Sequence, residues 1–188
     1  MDFELIGSTA IEDKLQDEVG KTIYDIKAAG IQLWVLTGDK VETAINIGFS
    51  CQLLHHDMNM FVLEETSPQK CRIEIIEALG QQKVTKQARD NAVIVAGDTL
   101  STIQEDDDLV KEFIDLCEGA NVVLACRVSP KQKAEIVMMM RKRHEKKTTL
   151  AIGDGANDVN MITAAHIGIG ISGLEGQQAA RASDYSIG

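Results

Sequence analysis

The feature that most constrains the fold is the alternation of short, almost continuously apolar runs with amphipathic stretches. Six of the apolar runs are predicted to be strands: Ile31–Leu36, Met60–Leu63, Ala92–Ala96, Val122–Cys126, Thr149–Ile152 and Ile167–Ile171. Near-continuous hydrophobicity is typical of strands that are buried on both faces, as in parallel sheets. Strands that alternate with helices predict an α/β fold with a mainly parallel sheet flanked by helices.

The stretches between these runs show helical periodicity, and one of them carries a clear start signal. Ser129-Pro130-Lys131-Gln132 predicts a capping box with proline at the first helical position. The segment around residues 55–115 departs from the regular alternation. It is predicted to be a small insertion on the main sheet, with a helix around residues 68–79 and an otherwise undetermined shape. A further strand is predicted at Phe3–Ile6.

Composition narrows the classes of partner. The chain has 188 residues and a net charge of −10, so it repels nucleic acid, and we expect no nucleic-acid partner. Its four cysteines show neither metal-ligand spacing nor a disulfide framework, which favours a reducing cytosol. No apolar run approaches the roughly 20 residues needed to cross a bilayer.

Three predicted strands end in glycine followed by aspartate, namely Gly38-Asp39, Gly97-Asp98 and Gly153-Asp154. Ligands bind at the carboxyl ends of strands in open parallel sheets, so each aspartate is a candidate. Asp39 precedes Glu42 at capping-box spacing, and helix capping and ligand binding both stay open for it. Asp98 has no second acidic group beside it and is predicted to be structural.

The run from Gly153 to Asp158 carries the strongest chemical signal. It places Asp154, Asn157 and Asp158 in one strand-to-helix turn, and two nearby carboxylates repel unless a cation or donor lies between them. Hard oxygen ligands with room for waters suit Mg²⁺. Lys133 lies one turn into the predicted helix that begins at Pro130, where a lysine is ordinarily solvated. If it reaches the same sheet edge as Asp154, it becomes a counter-charge for phosphate.

Three motifs occur in the order and spacing of P-type ATPases, which have the haloacid-dehalogenase-like fold. They are Thr37-Gly38-Asp39-Lys40, Arg127-Val128-Ser129-Pro130 with Lys133, and Gly153-Asp154-Gly155-Ala156-Asn157-Asp158. The stretches 9–16, 37–51, 165–173 and 182–186 resemble the phospholipid-transporting branch, the lipid flippases. The resemblance spans nearly the whole chain and is weakest between Asp57 and Leu116.

The resemblance implies that residues 1–188 are part of a phosphorylation domain with a Rossmann-like sheet. The nucleophilic aspartate of the family lies in an Asp-Lys-Thr-Gly motif, and this sequence contains no such motif. In the family the strand before that motif lies between those ending here at Leu36 and Ile152. Loss of that strand would leave exposed edges, and we expect the gap to be closed by a rearrangement, by a neighbouring copy or by the Phe3–Ile6 segment. We expect the chain alone to be inactive.

The resemblance also implies roles for individual residues. Asp154 and Asp158 are implied as Mg²⁺ ligands. The implied nucleotide- and phosphoryl-binding residues are Thr37, Gly38, Asp39, Arg127, Lys133 and Asn157. The implied catalytic residues are Thr37, Lys133, Asn157 and Asp158. The implied cofactors are Mg²⁺ and ATP.

The implied partners lie outside this sequence. They are a membrane domain that handles phospholipid, the other domains of the ATPase and a flippase accessory subunit. The implied location is the cytosolic face of a multi-pass membrane protein.

Three alternatives come from other classes of protein. Gly168, Gly170 and Gly173 spell the G-x-G-x-x-G of dinucleotide-binding enzymes, although little chain follows to supply the acidic ribose partner. A stand-alone phosphatase needs an Asp-x-Asp after its first strand, and the acidic run at 105–108 instead predicts a solvated helix start. A non-catalytic Mg²⁺- and phosphate-binding or regulatory domain of the same fold is the third.

Overall fold

A computed structural model describes residues 4, 6–9, 14–85, 90–173 and 176–188. The strands are β1 Leu33–Leu36, β2 Asn59–Leu63, β3 Asn91–Ala96, β4 Val122–Cys126, β5 Leu150–Gly153, β6 Ile167–Ile171 and β7 Tyr185–Ile187. The helices are α1 Val19–Ala28, α2 Val41–Ser50, α3 Pro68–Thr85, α4 Gly97–Gln104, α5 Asp107–Glu118, α6 Pro130–Arg143, α7 Val159–Ala164 and α8 Gln178–Ala182. A 3₁₀ turn covers Ala156–Asp158.

The strands form two sheets, and every strand pair in them is parallel. The four-stranded sheet has the order β1-β4-β3-β2, and the three-stranded sheet has the order β5-β6-β7. The predicted α/β class with parallel strands and flanking helices is confirmed. All six predicted strands are present with ends within two residues of the prediction. The strand predicted at Phe3–Ile6 falls largely outside the described residues.

The core lies on both faces of the four-stranded sheet because neighbouring strand residues point to opposite sides. On β3, Val93 and Val95 join the cluster packed under α3 to α6, whereas Ala92 and Ile94 join the cluster under α1 and α2. These four side chains are completely buried. The near-continuous hydrophobicity of the strands therefore reflects burial on two faces.

The segment 55–115, whose shape the sequence left open, continues the parallel sheet. Its strands β2 and β3 pair with each other, and β3 also pairs with β4. The helix between the two strands, α3, buries Cys71 and Ile75 but leaves Ile73 and Ile76 more than half exposed. Apolar residues lie on two sides of α3, so the amphipathic period of this helix is weak. For this reason the sequence pattern did not reveal the β-α-β order of the segment.

Within the described residues, strands β1 and β5 are each the edge of a sheet, as the resemblance implied. The edge strand β5 leaves Leu150 52% and Ile152 51% exposed. Helix α6 links the two halves: Ile136 belongs to the core of the four-stranded sheet, and the helix packs against α7 beside β5. Among the described residues, no helix combines the length and apolarity needed to cross a bilayer.

Candidate functional site

The centre of the candidate site is an ion pair between the first turn of α6 and the turn after β5. The Lys133 Nζ lies 2.7 Å from Oδ1 of Asp158, and the two side chains are only 12% and 11% exposed. The predicted capping box is confirmed. Ser129 Oγ accepts from the backbone amide of Gln132, and Gln132 Oε1 accepts from the backbone amide of Ser129. The cap fixes the turn that carries Lys133 at the carboxyl edge of the sheets.

The turn after β5 is built around glycine. A Cβ on Gly153 would lie 2.3 Å from the Cβ of Asp158, so only glycine lets the chain fold back this closely. The Gly155 amide donates to Asp158 Oδ2 at 3.4 Å. Asp158 is buried, while Asp154 and Asn157 in the same turn are exposed. Lys133 and the aspartate-rich turn thus meet at one edge, which is the arrangement that a phosphate counter-charge requires.

The carboxylates of this turn suit a Mg²⁺ ion that is bound together with substrate oxygens, and not one held by the protein alone. Within the described residues, no group of three or more histidine, cysteine, aspartate or glutamate side chains is arranged to hold a metal. Asp154 and Asp158 provide two carboxylates in one turn, and Mg²⁺ is commonly held by one or two carboxylates together with substrate phosphates and waters. Oδ1 of Asp158 already accepts from Lys133, so Asp154 is the freer ligand.

The loop after β1 forms a second group of candidate residues. The Thr37 hydroxyl donates to Asp39 Oδ2 at 2.7 Å, and the Asp39 amide donates to the Thr37 hydroxyl at 3.1 Å. Helix α2 begins at Val41 with Lys40 as its N-cap and has no side-chain cap. The capping alternative for Asp39 is therefore wrong, because its carboxylate binds Thr37 instead. Gly38 lies between them and is exposed.

Arg127 joins this second group through its backbone. Its amide donates to the Asp39 carbonyl at 2.9 Å, and its φ of 53° lies in the left-handed region that non-glycine residues seldom adopt. The exposed Arg127 side chain borders a depression of about 210 Å³ at the carboxyl ends of β2, β3 and β4. The depression is lined by Val41, Glu42, Glu64, Thr66, Ala96, Gly97, Asp98 and Arg127.

The predicted site residues therefore fall into two groups on the carboxyl edges of the two sheets. Lys133 and Asp158 are in contact, and so are Thr37, Asp39 and Arg127. In the part of the chain that the structure describes, no hydrogen bond or ion pair joins one group to the other. Sequence reasoning assigned Gln132 only to the cap and missed its side-chain bond to the Gly97 carbonyl on another element.

A buried thiol, that of Cys126, lies beside the second group. Burial, reinforced by the negative charges of Asp39 and Glu64, raises the pKa of Cys126 to about 11. The thiol is therefore protonated near neutral pH, and the thiolate is the nucleophilic form.

Comparison with known proteins decides the family. A haloacid dehalogenase-like hydrolase family matches residues 16–173, which is most of the chain.

The chain is a haloacid dehalogenase-like hydrolase family member.

Among individual relatives, the chain is similar to phospholipid-transporting ATPases of fungi. It is 48% identical over 190 residues to DRS2 of Saccharomyces cerevisiae, which covers 98% of this chain and 14% of the relative. A phospholipid-transporting ATPase of Schizosaccharomyces pombe is 47% identical over 190 residues, with 99% of this chain and 15% of the relative covered. DNF1 of S. cerevisiae is 43% identical over 209 residues, with 98% and 13% covered. The chain thus spans about one seventh of the length of these relatives.

The structure also bears on the dinucleotide-binding alternative, through the glycines of β6. Gly168 and Gly170 lie inside β6 and not in a turn that opens a helix. A Cβ on Gly170 would come within 2.3 Å of the Ala179 carbonyl oxygen, and one on Gly168 would come within 2.6 Å of Ile162. The dinucleotide-binding alternative is therefore wrong, because these glycines serve close packing of α7 and α8 on the strand.

Proposed function

We propose that residues 1–188 are part of the phosphorylation domain of an ATP-driven phospholipid transporter. In this proposal the chain supplies Mg²⁺- and phosphoryl-binding residues to a cycle in which an aspartate outside this sequence is phosphorylated. The observation that carries the proposal is the buried Lys133–Asp158 pair beside Asp154 at the end of a parallel strand. Its similarity to phospholipid-transporting ATPases over nearly its whole length supports the same conclusion.

Asp154 and Asp158 are the proposed Mg²⁺ ligands. Bound Mg²⁺ would neutralise charge on the phosphoryl oxygens. The exposed Asp154 carboxylate is open to a cation that arrives with substrate. The Asp158 carboxylate is held by the Lys133 ammonium and the Gly155 amide, which fixes its direction before any ligand binds.

Four residues are proposed to act on the phosphoryl group itself. Phosphoryl transfer is governed by positioning and charge neutralisation, so preorganised donors and cations matter most. Lys133 would offset negative charge, and Asn157, on the exposed side of the same turn as Asp158, would orient the group. Thr37 and Gly38 would donate hydrogen bonds from the edge of the neighbouring sheet. This use of Thr37 requires its hydroxyl to leave Asp39.

Asp39 and Arg127 are proposed to contact the nucleotide. Both side chains are exposed at the carboxyl ends of β1 and β4, and the backbone bond between them holds their loops together. A guanidinium can pair with phosphate or lie over an aromatic ring, which are the two chemistries that ATP offers. The strained backbone of Arg127 is the kind of feature that accumulates at ligand sites.

The partners of the whole transporter are part of the same proposal. ATP and Mg²⁺ would act at this site, and phospholipid would act at a membrane domain outside this sequence. The other ATPase domains and an accessory subunit would complete the assembly. The chain would then lie on the cytosolic face of the membrane.

The metal part of the proposal can be tested on the chain itself by nuclear magnetic resonance. We expect Mg²⁺ to shift the amide signals of residues 153–158 in a saturable way, and Asp154→Asn to abolish that response. Asp98→Asn is the matched control, because Asp98 follows another strand-end glycine and is also exposed. Equal loss in both variants, or no shift in the wild-type chain, would contradict the Mg²⁺ assignment.

The missing nucleophile can be tested by incubation with labelled ATP and Mg²⁺ followed by acid precipitation. The chain alone should take up no label, because the sequence contains no Asp-Lys-Thr-Gly motif. Acid-stable label that hydroxylamine removes would show an acyl phosphate on this chain, and would refute the proposal that the nucleophile lies elsewhere.

A further inference from the structure

Two successive residues in the first turn of α6 bind this helix to opposite halves of the molecule. Lys133 reaches the turn after β5, in the half that holds the three-stranded sheet. Gln132 reaches the first turn of α4, which follows β3 directly, in the half that holds the four-stranded sheet. Its Nε2 donates to the Gly97 carbonyl at 2.7 Å and to the Ser101 hydroxyl at 3.1 Å.

The Gly97 carbonyl, which accepts from Gln132, belongs to a turn whose position is itself fixed. A Cβ on Gly97 would lie 2.3 Å from the Arg127 carbonyl oxygen, so the turn that begins α4 is pressed against the backbone of Arg127. The Arg127 amide in turn donates to the Asp39 carbonyl. A continuous chain of short contacts therefore runs from the loop after β1, through Arg127 and Gly97, to Gln132 and the first turn of α6.

We propose that Gln132 is a positioning residue that sets the place of the Lys133 ammonium relative to Thr37, Asp39 and Arg127. In the described part of the chain, no strand pair joins the two sheets. The two groups of site residues therefore depend on α6 for their relative placement, and Gln132 fixes its first turn to the four-stranded half. This inference rests on the proposed function, since it concerns how the same site is assembled.

The geometry separates this role from helix capping. The Oε1 atom of Gln132 accepts from the Ser129 amide and completes the capping box, which glutamate also does. The Nε2 atom alone makes the bonds to Gly97 and Ser101. Gln132→Glu therefore keeps the cap but turns a donor into an acceptor that faces the Gly97 carbonyl. The variant removes the positioning contact while leaving the helix start intact.

The experiment compares the lysine ammonium signals of ¹⁵N-labelled wild-type chain and variants. A buried ammonium held by a carboxylate exchanges its protons with water slowly, so wild-type Lys133 should give a visible signal. In Gln132→Glu we expect several-fold faster exchange and shifted Gly155 and Asp158 amides, with an unchanged circular dichroism spectrum. Lys131→Gln is the control, because it makes the same change of one charge unit at a neighbouring exposed side chain.

The outcomes are distinguishable. A folded Gln132→Glu chain with the wild-type Lys133 signal overturns the proposal, and so does an equal change in Lys131→Gln. If Gln132→Glu does not fold, the Gln132 side-chain amide of the wild-type chain decides: slow proton exchange supports the bond to Gly97, and fast exchange overturns it.

A second titration, with inorganic phosphate and Mg²⁺, tests the site's function separately. We expect Gln132→Glu to weaken phosphate binding several-fold, measured by the amide shifts of residues 153–158. If the wild-type chain binds no phosphate but the Lys133 signal still depends on Gln132, the positioning role stands and the proposed function loses support. If wild-type and Gln132→Glu chains bind phosphate equally, the positioning role is overturned.

Discussion

At the scale of single residues, the ion pair between Lys133 and Asp158 is the central contact of the candidate site. Each side chain is nearly buried, so either charge would destabilise the folded protein if it lost its partner. A partly buried pair adds little net stability compared with apolar residues, but removal of one partner leaves a stranded charge. The pair therefore constrains the site more than it stabilises the fold.

Lys133→Met tests this directly. We expect a loss of about 2–4 kcal/mol in the free energy of unfolding, because the Asp158 carboxylate keeps its burial and loses its cation. Chemical denaturation followed by circular dichroism measures the change. Lys131→Met, which breaks an ion pair whose lysine is 83% exposed, should cost less than about 0.5 kcal/mol.

A double variant separates the stranded charge from lost packing. Asp158→Asn combined with Lys133→Met should recover part of the stability lost in the single variant, because no unpaired charge remains. If the double variant is less stable than Lys133→Met by the full cost of Asp158→Asn, the charge explanation fails.

The same scale shows what the sequence could and could not predict at the site. The Asp-rich turn was predicted at the carboxyl end of a strand, where ligands bind, and the resemblance implied a role for Lys133 at the same site; the two are in contact. Asp39 stayed open between a cap and a ligand role. Spacing could not decide it, since backbone hydrogen bonds join the loop from Thr37 to Asp39 to β4 and to the residues that follow β4, which lie far away in the sequence.

At the scale of elements, α8 packs so closely on β6 that no room is left for a side chain at residue 170. Gly170 is buried, and the backbone of Ala179 and Ala180 occupies the space where its side chain would be. Backbone cannot move aside as a flexible side chain can. The strand therefore tolerates only hydrogen at this position.

Gly170→Ala should lower the free energy of unfolding by about 3 kcal/mol, because the methyl group must push α8 away from the strand. Gly80→Ala is the matched control. Gly80 is an exposed residue within α3 with open space around its Cα, so alanine there should raise stability by about 0.5–1 kcal/mol. Thermal melts of both variants check the two opposite signs. Similar melting temperatures for both would contradict the packing argument.

Prediction of elements succeeded where one physical signal dominated. Strands β3 and β4 are apolar throughout because they are buried on both faces, and their predicted ends were accurate. Strand β7 was missed, since its three residues are all exposed and carry no burial pattern. Helix α3 was predicted too short, because Ile73 and Ile76 on its outer side blur the amphipathic period.

At the scale of the whole molecule, the two sheets differ in how well they are covered. Both core clusters enclose the four-stranded sheet, and β3 and β4 are almost fully buried. The three-stranded sheet leaves exposed apolar side chains on each strand, at Ile152, Ile171 and Ile187. Since stability within a protein follows burial and local contact density, the three-stranded half should open first.

Native-state hydrogen exchange in low denaturant tests this order of opening. Amides of β5 and β6 should exchange through an opening that costs at least about 1 kcal/mol less than the one that exposes β3 and β4. Phe113→Leu, which changes the fully buried core beside the four-stranded sheet, should lower the protection of β3 and β4 only. Lys133→Met should lower protection in both halves, because the pair breaks in either opening. One common opening energy for both sheets, moved equally by both variants, would mean that α6 couples the halves into a single cooperative unit.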